Sequence, residues 1–257
     1  MNTPKFSESK LSSVKELKTA YAENNLILFV GCGISSASAP SVNEFIDNFI
    51  DYLNDKSGKV YTNIIGHGDN SYREKIKQKQ FEYFLQHVYE IIGDDNLFKL
   101  LQLNYPNKRT SDLPNYVSSA HNTIASAMKN HMLKVITTNF DGFIETAFDP
   151  DNCTVFVKDK NFQEDPIKVL NSAQYFKLHG STEFEFKSDT IATLFVEGAG
   201  FSDNKKNFLK YIFDRRNGKT IWFYGYGLND YDMMLLLKEL ATDSNYNITK
   251  LVFNLYQ

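Results

Sequence analysis

Leu26-Ile27-Leu28-Phe29-Val30-Gly31-Cys32-Gly33-Ile34-Ser35 is the stretch whose reading decides the fold class. The apolar run Leu26 to Val30 is bounded by Asn24-Asn25 and by glycine, too short for a membrane span, and reads as a strand buried on both faces. The chain breaks at Gly31-Cys32-Gly33 and small or hydroxylated residues carry it to Pro40. Phe45, Phe49, Ile50 and Leu53 then recur at helical spacing. Strand, glycine turn and helix in that order predict an α/β unit. Glycines let a backbone come close to a ligand, and free amides at a helix start, with the positive end of its dipole, suit a diphosphate. A tight β-to-α turn that binds nothing has the same residues. The third glycine of the dinucleotide fingerprint is absent, since Ile34, Ser35 and Ser36 follow Gly33.

Outward from this stretch the chain alternates helices and strands. Leu11, Val14, Leu17 and Ala20 predict an amphipathic helix ahead of the first strand. Beyond Leu53, Gly66-His67-Gly68-Asp69-Asn70 reads as a loop, and about Tyr72 to Leu103 reads as helix interrupted near Gly93-Asp94-Asp95. A further helix is expected over about Tyr116 to His131. The distance to the next strand is roughly three times the minimum for a βαβ crossover, so a helical insertion is expected at about 57–131. Its aromatics, Tyr72, Phe81, Tyr83, Phe84 and Tyr89, suit either core or an interface.

The second strand, Leu133 to Thr138, runs into Asn139-Phe140-Asp141-Gly142. Strand ends of an open parallel sheet gather at one edge, which sets Asn139 and Asp141 near the glycine turn. Asparagine offers donor and acceptor to a ribose or a carboxamide, and aspartate accepts from amides or hydroxyls. Both are also ordinary helix caps, with Phe143, Ile144 and Ala147 reading as the helix that follows. Thr154 to Val157 reads as a strand, and a charged connection runs through Pro166. Tyr175 to Leu178 is a strand that delivers His179-Gly180-Ser181 to the same edge, where a titratable ring suits proton transfer. His67, His87, His121 and His131 read as structural. Ile221 to Tyr224, Gly225-Tyr226-Gly227-Leu228-Asn229-Asp230 and a helix from Tyr231 repeat the opening layout, and a second turn of this kind suits the adenosine half of a dinucleotide. Leu251 to Leu255 reads as a last strand. A sequence stopping there reads as a domain of a longer protein or as a compact single-domain protein.

The 257 residues favour one large α/β domain over two small ones. A net charge of -3 supplies no general field for nucleic acid or anionic membrane. No run approaches the ~18 apolar residues of a spanning helix, and Met1 to Asn25 lacks the apolar centre of a secretory signal. A soluble, cytoplasmic protein is expected. Two cysteines, Cys32 and Cys153, cannot build a zinc site or a disulfide framework, so no metal is expected.

Phe29 to Ser35, Thr137 to Asp141, Lys177 to Ser181 and Phe223 to Asp230, taken in this order, resemble the Sir2 (sirtuin) superfamily, and more closely the bacterial Sir2-like NAD-consuming domains of antiphage defence systems. The likeness covers about Asn25 to Phe253. It implies one NAD-binding domain over 1–257 with a Rossmann-like, mostly parallel sheet, helices on both faces and the helical insertion after the first βα unit. It implies that NAD+ lies across the strand ends as substrate, with Gly31, Cys32, Gly33 and Ser35 at the phosphates. Asn139 would hold the nicotinamide ribose and a water, Asp141 the carboxamide, and His179 would be the catalytic base. Gly225, Leu228 and Asn229 fall where the family contacts the adenosine side. The chain departs from classical sirtuins in having no four-cysteine zinc ribbon and Cys32 where alanine is usual. It also lacks a Phe-Arg pair after the glycines and has a longer spacing from Asn139 to His179. These departures count against protein deacylation and leave NAD+ cleavage to nicotinamide and ADP-ribose, with a binding-only sensor and an acyl or ADP-ribosyl transferase as the other readings. Homo-oligomers, or a sensor partner that releases activity, are implied by the same likeness. A reactive Cys32 thiol stands against a small packing residue.

Overall fold

Leu26–Val30 forms β1, at the centre of a sheet in which every pairing is parallel. The computed structural model describes residues 12–57, 81–105, 116–131, 133–149, 153–194, 201–227, 230–243, 248 and 250–254. The other strands are β2 (Lys134–Thr137), β3 (Val155–Phe156), β4 (Tyr175–Lys177), β5 (Thr220–Tyr224) and β6 (Lys250–Asn254). Their order is β3-β4-β2-β1-β5-β6. The chain builds one side of β1 first and returns to the other, so the strand order reverses between β1 and β5. In open α/β sheets such a switch point is where a crevice for ligands forms.

Helices follow the strands: α1 (Ser12–Ala22), α2 (Val42–Ser57), α3 (Phe81–Asn104), α4 (Ser119–His131), α5 (Phe143–Phe148), α6 (Pro166–Ser172), α7 (Lys187–Leu194), α8 (Asp203–Phe213) and α9 (Tyr231–Thr242). Alternate strand residues point to opposite faces, which is why β1 is apolar throughout. Ile27 and Phe29 join Phe176, Ile221 and Phe223 under Val169, Phe208, Ile212 and Leu236 of α6, α8 and α9. Leu26, Leu28 and Val30 join Val135 and Tyr175 under Ala20, Ile124, Met128 and Ile144 of α1, α4 and α5. Helices therefore cover both faces, as expected for a Rossmann-like fold. No helix among the described residues is long and apolar enough to cross a membrane.

Within the expected insertion, 58–80 and 106–115 lie outside the described residues, Tyr72 and His67 among them. The described part has a core of its own, in which Phe45 and Phe49 of α2 pack with Leu85, Val88, Leu97 and Leu101 of α3. Tyr89 packs against it partly buried. α3 turns sharply at Gly93, whose φ of 72° is left-handed, matching the interruption expected there. Phe140 belongs to this same core.

Three helices arise where no helix is expected. α6 begins at Pro166, with the Asp165 side chain accepting from the Ile167 amide, so the charged connection is in part a capped helix. α8 begins behind Ser202, which caps the Lys205 amide, and buries Phe208, Leu209, Ile212 and Phe213 on one face. α7 follows directly from the turn after His179.

Candidate functional site

Strand register assembles the site. Val30 lies beside Thr137 on one side and Tyr224 on the other, and Thr137 lies beside Lys177. Gly31, Asn139, His179 and Gly225, one or two residues further on, therefore leave the sheet along one carboxyl edge.

The first meeting is between glycine turns. Gly33 donates its amide to the Gly225 carbonyl at 2.9 Å, and Gly31 donates to Tyr224 at 3.1 Å. A Cβ on Gly31 would stand 2.5 Å from the Gly225 oxygen, and one on Gly225 2.8 Å from the Ile34 nitrogen. Gly225 also holds φ at +62°, so it needs glycine twice over. The close approach expected for a ligand is thus made first between the two turns. Ile34 and Ser35 also spend their amides inside the turn, on the Gly31 and Cys32 carbonyls. A short 3-10 turn, Cys32–Ile34, follows β1, and α2 begins at Val42, carrying Phe45 to Leu53 where the helix was expected after Pro40. Free amides at a helix start are therefore not what this turn offers at Gly31, Gly33, Ile34 and Ser35. Its accessible face is Cys32 and Gly33, both exposed. The protein around the Cys32 thiol desolvates it, and with the charge of Asp141 this raises its pKa, the reverse of an activated thiolate.

The loop after β2 is held from several directions. Asn139 donates its amide to Thr137 Oγ1 at 3.0 Å, and that hydroxyl donates to the Val30 carbonyl at 2.9 Å. Asn139 Nδ2 donates to the Gly31 carbonyl at 3.2 Å. Asp141 Oδ1 accepts from the Phe143 amide at 3.3 Å. Asp141 stands one residue ahead of the helix cap, which is Gly142 and has no side-chain cap bond, so the expected capping role is not the one Asp141 fills. Its Oδ2 accepts from Ser35 Oγ at 3.1 Å, joining the glycine turn to this loop. Burial raises the Asp141 pKa, with Lys177 opposing. Beneath the loop lies Lys177, fully buried, whose ammonium donates to the Phe140 and Asp141 carbonyls at 3.1 and 2.6 Å and to Glu145 Oε1 at 2.9 Å.

Ser35 has a further partner, His121 of α4, whose Nε2 lies 3.1 Å from Ser35 Oγ. The Ser118 amide donates to His121 Nδ1 at 3.0 Å, so that nitrogen is an acceptor and the ring hydrogen is on Nε2. Donation then runs one way, from Ser118 through His121 and Ser35 to Asp141. Burial holds the His121 pKa down, to about 4, which keeps the ring neutral.

His179 stands at the end of β4. Its Nε2 lies 2.7 Å from Asp230 Oδ2, and its Nδ1 lies 3.9 Å from Asp232 Oδ2. Phe201 stacks on the ring at 5.5 Å. Burial acts against the Asp230 carboxylate, yet His179 and the Met233 amide hold its pKa below the ordinary value. Lys205 of α8, itself buried, donates to the Leu178 carbonyl at 2.6 Å, and burial brings its pKa down to about 8. The next residues are fixed as well: Gly180 has φ +109°, and the Ser181 amide donates to Thr190 Oγ1 of α7 at 2.9 Å. A cavity of about 290 Å³ beside α9 is lined by Phe201, Lys206, Asp232, Leu236 and Glu239.

Segments far apart in the chain, after β1, β2, β4 and β5, meet on one sheet edge. Residues 133–256 match the family model described as a SIR2-like domain. Over 243 residues, 90% of the chain, the sequence is 26% identical to Defense-associated sirtuin 2 of Bacillus subtilis. The chain is similar to the Sir2 superfamily, most clearly over residues 133–256. It spans about a fifth of the length of that curated relative, 21%.

In this Sir2-like chain the structure links Gly31, Gly33 and Gly225, ties Asn139 to Gly31, and ties Ser35 to Asp141. His179 is bound to Asp230. Leu228 and Asn229 lie outside the described residues. The supporting side chains not foreseen are His121, Lys177, Lys205 and Asp230. His121 was read as structural, and its bond to Ser35 crosses 86 residues, a link no local pattern displays. Asp230 carried a signal, since it opens a helix after a glycine turn.

Proposed function

We propose that the chain is an NAD+ glycohydrolase, cleaving NAD+ to nicotinamide and ADP-ribose, and that it serves as an effector depleting NAD+ in antiphage defence. One observation carries the reading: Asn139, Asp141 and His179 occupy the ends of β2 and β4 on the carboxyl edge that also holds the glycine turn. The kinship with Sir2 proteins, a superfamily that uses NAD+, supports the substrate, and the printed name of the Bacillus relative supports the defence setting.

The residues suit the chemistry. Breaking the bond between the nicotinamide nitrogen and ribose C1′ develops an oxocarbenium-like centre, so the site must orient the ribose and admit a single water. Asn139 has its side-chain Nδ2 on Gly31, and its Oδ1 has no partner among the described residues. That oxygen can accept from a ribose hydroxyl or the attacking water. Asp141 accepts from the nicotinamide carboxamide. His179 takes the proton of the water as its oxygen bonds to C1′, while the electron pair of the broken bond leaves with neutral nicotinamide. General-base assistance of this kind contributes ~10²–10⁴ in rate. By the likeness to the family, the turn at Gly31, Cys32, Gly33 and Ser35 would meet the phosphates through its accessible face, Cys32 and Gly33, and Gly225, Leu228 and Asn229 would belong to the adenosine side. No metal enters the reaction. The protein works in the cytoplasm, as a homo-oligomer or with a sensor partner.

The test is chromatographic assay of NAD+ loss and nicotinamide release by the purified chain, by Asn139→Ala and by His179→Ala, with calorimetric NAD+ titration alongside. Turnover by the parent that both variants lose supports hydrolysis. Binding without turnover favours a sensing module, label from NAD+ appearing on protein favours a transferase, and absence of binding overturns the NAD+ reading.

A further inference from the structure

Resting on the hydrolase reading, we propose that Asp230 is the positioning residue for His179: it fixes the ring hydrogen on Nε2 and so leaves Nδ1 as the nitrogen that accepts the proton. The two residues are 51 apart in sequence, and their side chains meet at 2.7 Å with little exposure to solvent.

The two oxygens of Asp230 have separate duties. Oδ2 meets His179, while Oδ1 accepts from the Met233 amide at 3.0 Å and caps α9. Met233 is fixed in the helix, so the carboxylate cannot turn without giving up the cap. An ionised carboxylate only accepts, which makes Nε2 the donor and leaves the lone pair of a neutral ring on Nδ1. The same contact stabilises the imidazolium formed when Nδ1 takes a proton, as a carboxylate behind a catalytic imidazole does.

The other charged groups near the ring fit this direction of transfer. Asp232, also of α9, stands 3.9 Å from Nδ1, beyond hydrogen-bonding range, where its charge favours the arriving positive charge. Lys205 of α8 is turned to the Leu178 carbonyl, fixing the backbone that carries His179. Phe201 stacks on the ring and holds its plane.

Asp230→Asn tests the assignment, because the amide keeps the shape but not the acceptor. Its Oδ1 must stay on the Met233 amide, which turns the NH₂ group toward Nε2 and forces the ring hydrogen onto Nδ1. The expected result is a kcat for NAD+ hydrolysis lower by ~10²–10⁴-fold with KM nearly unchanged. The acid limb of the pH–rate profile should move to lower pH, and Asp230→Glu should regain part of the rate. Nitrogen-15 spectra of labelled histidine read the same device without turnover: hydrogen on Nε2 of His179 in the parent and on Nδ1 in the Asn variant. An Asn variant with the parent's kcat, pH profile and tautomer overturns the proposal. If the parent binds NAD+ but releases no nicotinamide, the hydrolase reading fails separately and the spectra still decide the role of Asp230. If the Asn variant does not fold, a parent spectrum with the hydrogen on Nδ1 overturns it.

Discussion

Two buried histidines near the same sheet edge have been given opposite electrostatic characters. His121 receives a backbone amide on one nitrogen and gives its hydrogen to Ser35, so both nitrogens are satisfied by neutral groups and burial holds the pKa down, to about 4. His179 meets a carboxylate on one nitrogen and has a second carboxylate 3.9 Å from the other. The first is arranged to stay neutral, while the second faces a carboxylate on each side. A histidine's role is therefore read from what its nitrogens face; burial is common to both.

Breaking the comparison at its reactive end should produce the largest effect. His179→Gln retains a donor for Asp230 but has no base, and nicotinamide release is expected to fall by ~10²–10⁴-fold while the protein stays folded by circular dichroism. The neutral end shows itself in stability. His121 has a folded pKa of about 4 against 6.5 when unfolded, so the unfolded chain binds more protons between those values. Stability from this group is complete above pH 6.5 and is lost as pH falls toward 4, by about 3 kcal/mol. Urea denaturation across that window measures it, and in His121→Phe, which keeps a ring tilted against Phe143, this pH-dependent part should vanish. The junction between the regions is expected to be somewhat less costly. Gly225→Ala adds a Cβ 2.8 Å from the Ile34 nitrogen at a left-handed φ and should cost ~1–3 kcal/mol, read as a lowered denaturation midpoint. The smallest effect sharpens the contrast between poised and quiet groups. Cys32 is exposed but its thiol pKa is raised, so it should react with iodoacetamide at pH 7.5 more slowly than a free cysteine, followed by mass spectrometry.

Much of the fold was legible because local pattern and tertiary demand agree. Leu26 to Val30 is apolar at every position because a central parallel strand has two covered faces, and the strands at 134–137, 175–177 and 220–224 could be read in the same way. The helices at 166–172 and 203–213 had signals in the sequence, the caps Asp165-Pro166 and Ser202 and, in the second, the helical spacing of Phe208, Leu209, Ile212 and Phe213; the first is only seven residues long. α2 was legible as a helix, but not that Gly31 and Gly33 would face Gly225 ahead of it, because the contact joins loops nearly 200 residues apart. For the site, residue types at strand ends pointed to Asn139, Asp141 and His179. The partners Ser35 to His121 and His179 to Asp230 needed the sheet order first, since both pairs bring together side chains from non-adjacent stretches of sequence.

Phe140 gives the loop after β2 a mechanical character. Asn139 and Asp141 flank it in the chain, while its ring lies 5.8 Å from that of Tyr105 in the core of the helical insertion. Tyr105 in turn stacks on Phe45 at 5.5 Å. The ring therefore ties the peptide units that carry Asn139 and Asp141 to the core of the helical insertion, through side-chain contacts outside the sheet.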